Sequence, residues 1–251
     1  MASTPAHEPA GPAAIEVLSL HKSFGDVAAL AEVSLTVAAG ACVGLIGANG
    51  AGKTTLIKCL LDFNRAERGE VRIGGRDNRD AGARRGVAYL PERFHPPGFA
   101  TGRQYLRYML QLAGSFYLEA DVVAGLEAFE LEPGVLDRPL RQCSKGMAQK
   151  LGLAACFMTG ARVYVLDEPM SGLDPRARAV LKQHIRAAAG NGAGVLFSTH
   201  LLGDVDACCD RLAVLHRGRL RYEGTPEDFR ARYAAADLEA AYIACTDPAA
   251  G

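Results

Sequence analysis

A glycine-rich stretch ending in Lys-Thr-Thr is the part of the sequence that most directly predicts chemistry. It fits the phosphate-binding pattern G-x-x-x-x-G-K-[ST] with the residues Gly47, Ala48, Asn49, Gly50, Ala51, Gly52, Lys53, Thr54 and Thr55. In such a loop, curled backbone N–H groups and the start of a helix face phosphate oxygens. We predict that these residues bind a nucleotide, that Lys53 assists catalysis at the β- and γ-phosphates, and that Thr54 binds Mg²⁺.

Two acidic residues follow a later apolar run. Asp167 and Glu168 come directly after 163–166, a stretch typical of a parallel strand buried on both faces. Asp167 is suited to hold Mg²⁺, and Glu168 is suited to orient or deprotonate an attacking water. An acidic turn without a catalytic role would give the same pattern. Because the pair occurs downstream of a phosphate-binding loop, we favour the catalytic interpretation.

A histidine ends another predicted strand. His200 closes the apolar run at 194–200. Parallel strands bring their carboxyl ends to one edge of a sheet, where ligands of open α/β sheets bind. We therefore predict that His200 lies near Glu168 and hydrogen-bonds a γ-phosphate oxygen. A lone histidine at a strand end is more often structural, so this prediction depends on the other motifs.

The elements that would position these groups predict an α/β fold. It contains a parallel sheet, a small antiparallel β subdomain near the nucleotide, and an inserted helical subdomain at about 93–157. The glycine-rich loop is expected between a strand at 43–46 and a helix at 53–61. The other predicted strands lie at 15–20, 33–37, 71–73, 163–166, 194–200 and 212–215.

The length suits one large domain or two small ones, and the charge balance argues against a broad nucleic-acid surface. The 251 residues carry 28 Lys plus Arg and 28 Asp plus Glu, so we expect no nucleic-acid partner. We expect a disordered Ala- and Pro-rich leader at 1–14, a domain at 15–229 and a C-terminal tail at 230–251. No stretch reaches the ~18 consecutive apolar residues of a membrane helix. A function at a membrane would therefore need another chain to span it.

Taken in their order, the motifs resemble the ATP-binding subunit of an ABC transporter, from Ile15 to about Phe229. Phe24 matches the aromatic residue on which adenine stacks in that family. The resemblance implies a P-loop NTPase core, with ATP and Mg²⁺ as cofactors. The other matching motifs are the P-loop at 47–55, the Walker B pair Asp167 and Glu168, the D-loop at 171–174 and the switch histidine His200.

Two motifs depart from the family pattern. Glu92, in Tyr89-Leu90-Pro91-Glu92, replaces the usual glutamine. Its carboxylate still suits Mg²⁺ but adds negative charge near the phosphates. The signature L-S-G-G-Q corresponds to Cys143-Ser144-Lys145-Gly146-Met147, which keeps only Ser144 and Gly146, the positions expected to contact a γ-phosphate. The S-K-G-M form, with Y-L-P-E upstream, resembles the branch that energises exporters with separate membrane subunits.

The resemblance also implies a mechanism and partners. ATP held by the P-loop of one subunit would be covered by the signature of a second ATP-binding subunit, giving two composite sites by two-fold symmetry. ATP would hold the subunits together and hydrolysis would release them. A transmembrane permease subunit would convert this cycle into transport, which places the chain peripherally at the cytoplasmic face of the membrane.

Three other functions are compatible with parts of the pattern. Soluble ABC ATPases of translation usually carry two such domains in one chain. DNA-repair ATPases of the same superfamily carry a long coiled-coil insertion where this chain has a compact helical segment. The third alternative is an importer subunit, which the sequence distinguishes only weakly from an exporter subunit. The transported substrate is chosen by the membrane chain and is not encoded here.

Overall fold

The computed structural model describes residues 13–247. The strands are β1 (Ala13–Phe24), β2 (Val27–Ala38), β3 (Cys42–Ile46), β4 (Arg68–Ile73), β5 (Arg76–Asp77), β6 (Val87–Leu90), β7 (Val163–Leu166), β8 (Gly194–Thr199), β9 (Arg211–His216) and β10 (Arg219–Gly224). The helices are α1 (Lys53–Leu60), α2 (Ala81–Arg84), α3 (Gly102–Leu112), α4 (Glu119–Ala128), α5 (Lys145–Met158), α6 (Pro175–Gly190), α7 (Leu202–Cys208), α8 (Pro226–Arg232) and α9 (Leu238–Thr246). Short 3-10 helices lie at Pro133–Asp137 and Leu140–Gln142.

The main sheet has the strand order β10-β9-β3-β8-β7-β6. Its strands run parallel except β10, which pairs antiparallel with β9 at one edge. Every residue of β3, β7 and β8 is buried, as expected for strands covered on both faces. The carboxyl ends of these three strands meet at one edge of the sheet. The predicted α/β fold with a parallel sheet is confirmed.

The second sheet is antiparallel, with the order β2-β1-β4-β5. Its first two strands are each 12 residues long, about twice the length predicted from alternation. Ser19 and Glu32 adopt positive φ angles of 45° and 59°, and the register shifts beside both. Such bulges interrupt the two-residue periodicity on which the prediction relied, so only the central part of each strand was recognisable.

The chain between β6 and β7 is helical, as predicted. Helix α3 begins at a capping box in which Thr101 and Gln104 exchange side-chain and backbone hydrogen bonds. Leu106, Leu126 and Leu151, from α3, α4 and α5, are fully buried in one cluster. This cluster also includes residues of the main sheet, so the inserted helices are packed onto the core rather than separated from it.

The ends of the chain differ from the predicted boundaries. Residues 1–12 of the predicted leader lie outside the described residues, whereas Ala13 and Ala14 begin β1. Most of the predicted tail is described and contains α9, and 248–251 lie outside the description. The domain boundaries themselves remain predictions. Across the described part of the chain, no helix is both long enough and apolar enough to cross a membrane.

Candidate nucleotide site

A cavity of about 630 Å³ opens at the carboxyl edge of the main sheet. Its floor is the P-loop, of which all residues but Gly47 and Ala51 line the cavity. The other walls come from the start of β2, the loop after β6, the ends of β7 and β8, and the turn between β9 and β10. The additional lining residues are Val27, Ala28, Ala29, Glu92, Glu168, Ser171, His200, Arg217 and Gly218.

Two glycines of the P-loop are required by close packing. A Cβ atom on Gly47 would lie 2.4 Å from the Leu215 carbonyl oxygen, and one on Gly52 would lie 2.7 Å from the Ala29 carbonyl oxygen. Gly52 also has φ 110°, which disfavours side chains, and it precedes α1 without a side-chain cap. The first N–H groups of α1 therefore face the loop with the arrangement that binds anions at helix N-termini.

Lys53 is buried beneath the loop, with 7% of its surface exposed. Its Nζ donates to the Gly47 carbonyl oxygen at 2.6 Å and lies 3.4 Å from Glu168 Oε1. A buried ammonium group needs such partners because desolvation is costly. The structure thus connects the P-loop directly to the predicted Walker B pair.

The acidic pair is held by a serine of the neighbouring strand. Ser198 Oγ donates to Asp167 Oδ1 at 2.5 Å and accepts from the Glu168 N–H at 2.9 Å. Glu168 has φ 48°, a left-handed conformation that costs a non-glycine residue of order 1–3 kcal/mol and is typical of functional sites. One hydroxyl group therefore fixes both the Asp167 carboxylate and the turned backbone that directs Glu168 into the cavity.

His200 is placed against Glu168, as predicted. Its Nδ1 lies 2.9 Å from Glu168 Oε2, while half of its side chain remains exposed at the cavity. The histidine therefore contacts the carboxylate through Nδ1 and also borders the cavity. Lys53, Glu168 and His200 form one continuous chain of contacts across the end of the sheet.

The residues predicted to hold Mg²⁺ fit a cation that takes some of its ligands from the protein and the others from a nucleotide. Thr54 and Glu92 line the cavity. Asp167 is 1% exposed, and its Oδ2 has no hydrogen-bond partner among the described residues. No group of three or more His, Cys, Asp or Glu side chains within 13–247 could hold a metal ion alone. A hard cation here would therefore take further oxygen ligands from phosphates or water.

A neighbouring tyrosine is also influenced by the acidic pair. Tyr89 lies on β6, next to β7, and its ring contacts Phe63 edge to face at 5.7 Å. Burial, with the negative charge of Asp167 adding to it, raises the pKa of Tyr89 to about 12. Its phenol therefore stays neutral at physiological pH and adds no charge to the site.

The signature residues lie away from this cavity. Ser144 caps α5 by accepting from the Met147 N–H at 3.2 Å, and Gly146 follows in the first turn. Neither residue lines the cavity. A Cβ atom on Gly146 would find only the Gly172 carbonyl oxygen, at 3.7 Å, so its face towards the D-loop is open. The signature thus places a helix N-terminus outside the cavity of its own chain.

Phe24 is not part of the cavity wall either. It is 50% exposed near the turn between β1 and β2, and the Lys22 ammonium group lies 5.1 Å from its ring centroid. Its strand partner Val27 lines the cavity instead. The ring is accessible to a planar ligand beside the cavity, and its role in stacking adenine remains a prediction.

Sequence reasoning did not identify Ser198 or the turn at 217–218 as parts of the site. The Gly218 N–H donates to the P-loop Ala51 carbonyl oxygen at 2.9 Å, and the Gly218 carbonyl accepts from the Ala31 N–H at 2.7 Å. This turn joins the P-loop to β2. A hydroxyl two residues before His200 and an Arg-Gly turn were visible in the sequence, but only strand order places them at the nucleotide edge.

Comparison with known proteins identifies relatives of this chain. Residues 30–171 match the family model described as ABC transporter. The chain is 35% identical over 219 residues to Nod factor export ATP-binding protein I of Rhizobium meliloti, covering 85% of this chain and 64% of that protein. It is 37% identical over 223 residues to daunorubicin resistance ATP-binding protein DrrA3 of Streptomyces coeruleorubidus, covering 87% of this chain and 70% of that protein.

Solved structures extend the agreement to the whole fold. An ATP-binding subunit of an ABC transporter superimposes with a TM-score of 0.86 at 33% identity, covering 93% of this chain and 99% of that chain. A dimeric bacterial ABC transporter cassette shares the fold, with a TM-score of 0.76 at 20% identity over 84% of this chain and 98% of that chain. The chain spans 64% and 70% of the lengths of the two curated relatives named above. From its motifs, fold and relatives, the chain belongs to the ABC transporter family of ATP-binding proteins.

Proposed function

We propose that this chain is the ATP-hydrolysing subunit of a membrane exporter. The observation that carries the proposal is the chain of contacts from Lys53 through Glu168 to His200, which crosses the mouth of a phosphate-binding loop. Two relatives whose names describe export or drug resistance support the direction of transport. The substrate remains open because this chain would not contact it.

ATP binding would rearrange the contacts of Lys53. In the structure its ammonium group contacts the Gly47 carbonyl and the Glu168 carboxylate. The β- and γ-phosphates of ATP carry more negative charge than either partner and would attract Nζ through charge-assisted hydrogen bonds. Glu168 Oε1 would then lose its contact with the Lys53 ammonium group and become available to an attacking water.

Hydrolysis would proceed by attack of that water on the γ-phosphorus. Glu168 would orient the water and accept its proton, the bond to the β-phosphate oxygen would break, and ADP and phosphate would leave. His200 would hold Oε2 of Glu168 through Nδ1, so that the other oxygen points to the water. Its Nε2 would then contact a γ-phosphate oxygen.

Mg²⁺ would be held by Thr54, Asp167 and Glu92 together with phosphate oxygens and water. Bound there, the ion would neutralise charge that develops on the phosphates. Asp167 Oδ2 supports this assignment because it is buried without a hydrogen-bond partner within the described chain. Glu92 would contribute a carboxylate where the family usually has an amide. Substitution of Glu92 should therefore alter the concentration of Mg²⁺ that the enzyme requires.

A second ATP-binding subunit would complete each site. Ser144 and Gly146 lie at the start of α5 and outside the cavity of their own chain. In a two-fold dimer, the hydroxyl of Ser144, the backbone N–H groups and the helix N-terminus of one subunit would cover the γ-phosphate held by the other. ATP binding would close the dimer and hydrolysis would open it.

A transmembrane permease subunit would use this closing and opening for transport, with the chain peripheral at the cytoplasmic face. The inserted helices and the loop after Glu92 are the proposed docking region. Phe99 is 85% exposed in this loop. Phe94 is partly buried against Tyr105, with ring centroids 5.7 Å apart, and is therefore the less suitable probe.

The proposal is tested by crosslinking from two positions in native membranes. A photoreactive residue at Phe99 should capture a membrane-embedded protein. The same residue at Leu18, which is 44% exposed on the antiparallel sheet, provides the matched control. Capture of soluble proteins alone from Phe99 would favour a soluble ATPase and contradict the transport function.

A further inference from the structure

The C-terminal helix is fixed to the body of the protein rather than trailing from it. Leu238 and Ala241 of α9 are buried in the main core, at 2% and 0% exposure. Asp237 caps the helix by accepting from the Ala240 N–H at 2.8 Å. Helix α9 packs against α7, α8 and β10. Its position is therefore determined by burial and by a capped start.

From this anchored helix, a tyrosine contacts the P-loop. The Ala48 N–H donates to Tyr242 Oη at 3.0 Å, a contact between residues 194 positions apart. The Ala48 carbonyl accepts from the Ala51 N–H at 3.1 Å and lies 3.4 Å from Lys53 Nζ. Tyr242 thus holds one side of a residue whose other side contacts the catalytic lysine.

The same helix contacts the element that follows the switch histidine. Helix α7 begins at Leu202, two residues after His200, and packs against α9. Helix α9 therefore touches both the P-loop and the helix that follows His200. The P-loop follows β3, and His200 follows β8. Both would contact ATP in the proposed function.

We propose that Tyr242 is a positioning residue for the P-loop, through which the C-terminal helix sets the affinity for ATP. Its hydroxyl fixes the first peptide group after Gly47 and so restricts the loop before phosphate arrives. A loop that is already ordered loses less conformational entropy on binding. The inference rests on the proposed ATP-binding function and adds a contact from a segment that contains none of the recognised motifs.

The test compares two Tyr→Phe variants of the full chain. Tyr242→Phe keeps the ring and removes only the hydroxyl that faces Ala48. Tyr233→Phe is the matched control because the Tyr233 ring packs edge to face on Phe229, with ring centroids 5.3 Å apart, and does not line the cavity. For each protein, the dissociation constant for ATP, the KM and kcat for hydrolysis, and the melting temperature without nucleotide would be measured.

We expect Tyr242→Phe to bind ATP about 3- to 10-fold more weakly, because the loop would then have to be ordered as ATP binds, at about the cost of immobilising one side chain. The bond is exposed, so water can replace it in the nucleotide-free variant. KM should rise by the same factor, whereas kcat and the melting temperature without nucleotide should stay near wild type. Tyr233→Phe should bind ATP as wild type does.

Wild-type affinity in Tyr242→Phe, or an equal loss in Tyr233→Phe, would overturn the positioning role. A fall in the melting temperature of Tyr242→Phe that accounts for its weaker binding would overturn it as well. These outcomes leave the ATPase function standing. A wild-type chain that does not bind ATP would instead reject the proposed function together with this inference.

Discussion

The two halves of the proposed ATP site are assembled to different degrees within one chain. On the α/β core, Lys53, Glu168 and His200 are already in contact around the cavity. On the helical insert, Ser144 does no more than cap its own helix, and the cavity does not reach it. One half is thus preorganised by strand order, whereas the signature lies outside the cavity of its own chain. This difference is the reason for proposing that the second half acts on another subunit.

The largest effect is expected from the preorganised half. Glu168→Gln keeps the size and the contact with His200 but removes the proton acceptor, so turnover should fall by ~10²–10⁴-fold, the usual contribution of a general base. ATP binding should persist, and an ATP-bound dimer should accumulate during size-exclusion chromatography.

Glu92→Gln is the matched variant because it removes the other carboxylate that lines the cavity. Normal turnover in Glu168→Gln, combined with a collapse in Glu92→Gln, would transfer the catalytic role to Glu92. Retained activity in Glu92→Gln would show that the unusual carboxylate is a tolerated substitution.

The open half should respond differently. Gly146→Asp places a carboxylate opposite the γ-phosphate of a partner, and like charges at an interface cost several kcal/mol, so turnover should fall about 100-fold. The fold should tolerate the change, because the Cβ atom has room and an acidic residue suits the first turn of a helix. ATP binding by the monomer should be normal in a titration with a fluorescent nucleotide. Gly146→Ala is the control. If Gly146→Asp weakens ATP binding by the monomer as much as it lowers turnover, and Gly146→Ala does not, the signature would act on the ATP of its own chain.

A smaller effect is expected from the residue that supports the acidic pair. Ser198→Ala leaves the Asp167 carboxylate and the Glu168 N–H without their shared partner, which should lower kcat about 10-fold. Binding of ATP without Mg²⁺ should change little. Thr199→Val is the control, since the Thr199 hydroxyl accepts from the Leu201 N–H and, within 13–247, does not contact the acidic pair. Equal losses in the two variants would indicate a general disturbance of β8 rather than of the acidic pair.

Substitution of His184, which lies away from the nucleotide edge, should affect stability and leave ATP binding unchanged. His184 stacks on Phe129, with ring centroids 4.4 Å apart, and contacts Phe157 in a tilted arrangement at 5.4 Å. Burial lowers its pKa below the ordinary value of 6.5. The unfolded chain therefore binds more protons as the pH falls through that value, and the free energy of unfolding should decline.

His184→Phe keeps a stacked ring without the titration, so its melting temperature should decline less between pH 7.5 and 5.5 than that of wild type. Thermal unfolding followed by circular dichroism measures this difference. Identical pH dependence in the two proteins would show that His184 does not contribute to the loss of stability at low pH.

The sequence was sufficient to locate the motifs whose residues lie close together along the chain. The P-loop, the acidic pair and the helix after Lys53 are local patterns, and the structure places them as predicted. Ser198 and Tyr242 were not predicted because their roles depend on partners 30 or more positions away. Such contacts follow from strand order and helix packing, which periodicity does not determine.

The helices α6, α7 and α9 were also not predicted. Helix α6 has a clear start, with Asp174 as N-cap and Pro175 in its first turn. In the sequence Asp174 was assigned to the D-loop motif, and 175–190 were assigned to no element. Helix α9 carries Ala, Tyr, Ile and Cys with little separation of polar and apolar faces, so its buried side became apparent only from packing.

The central claim is that each active site combines the P-loop of one chain with the signature of another. It is tested by mixing Lys53→Ala with Gly146→Asp and measuring ATP hydrolysis. Each variant alone should hydrolyse ATP at a small fraction of the wild-type rate, because every composite site carries one defect. Mixed dimers regain one intact site, so equal mixing should restore about a quarter of the wild-type rate if chains assort at random. A mixture no more active than its components would contradict the shared site.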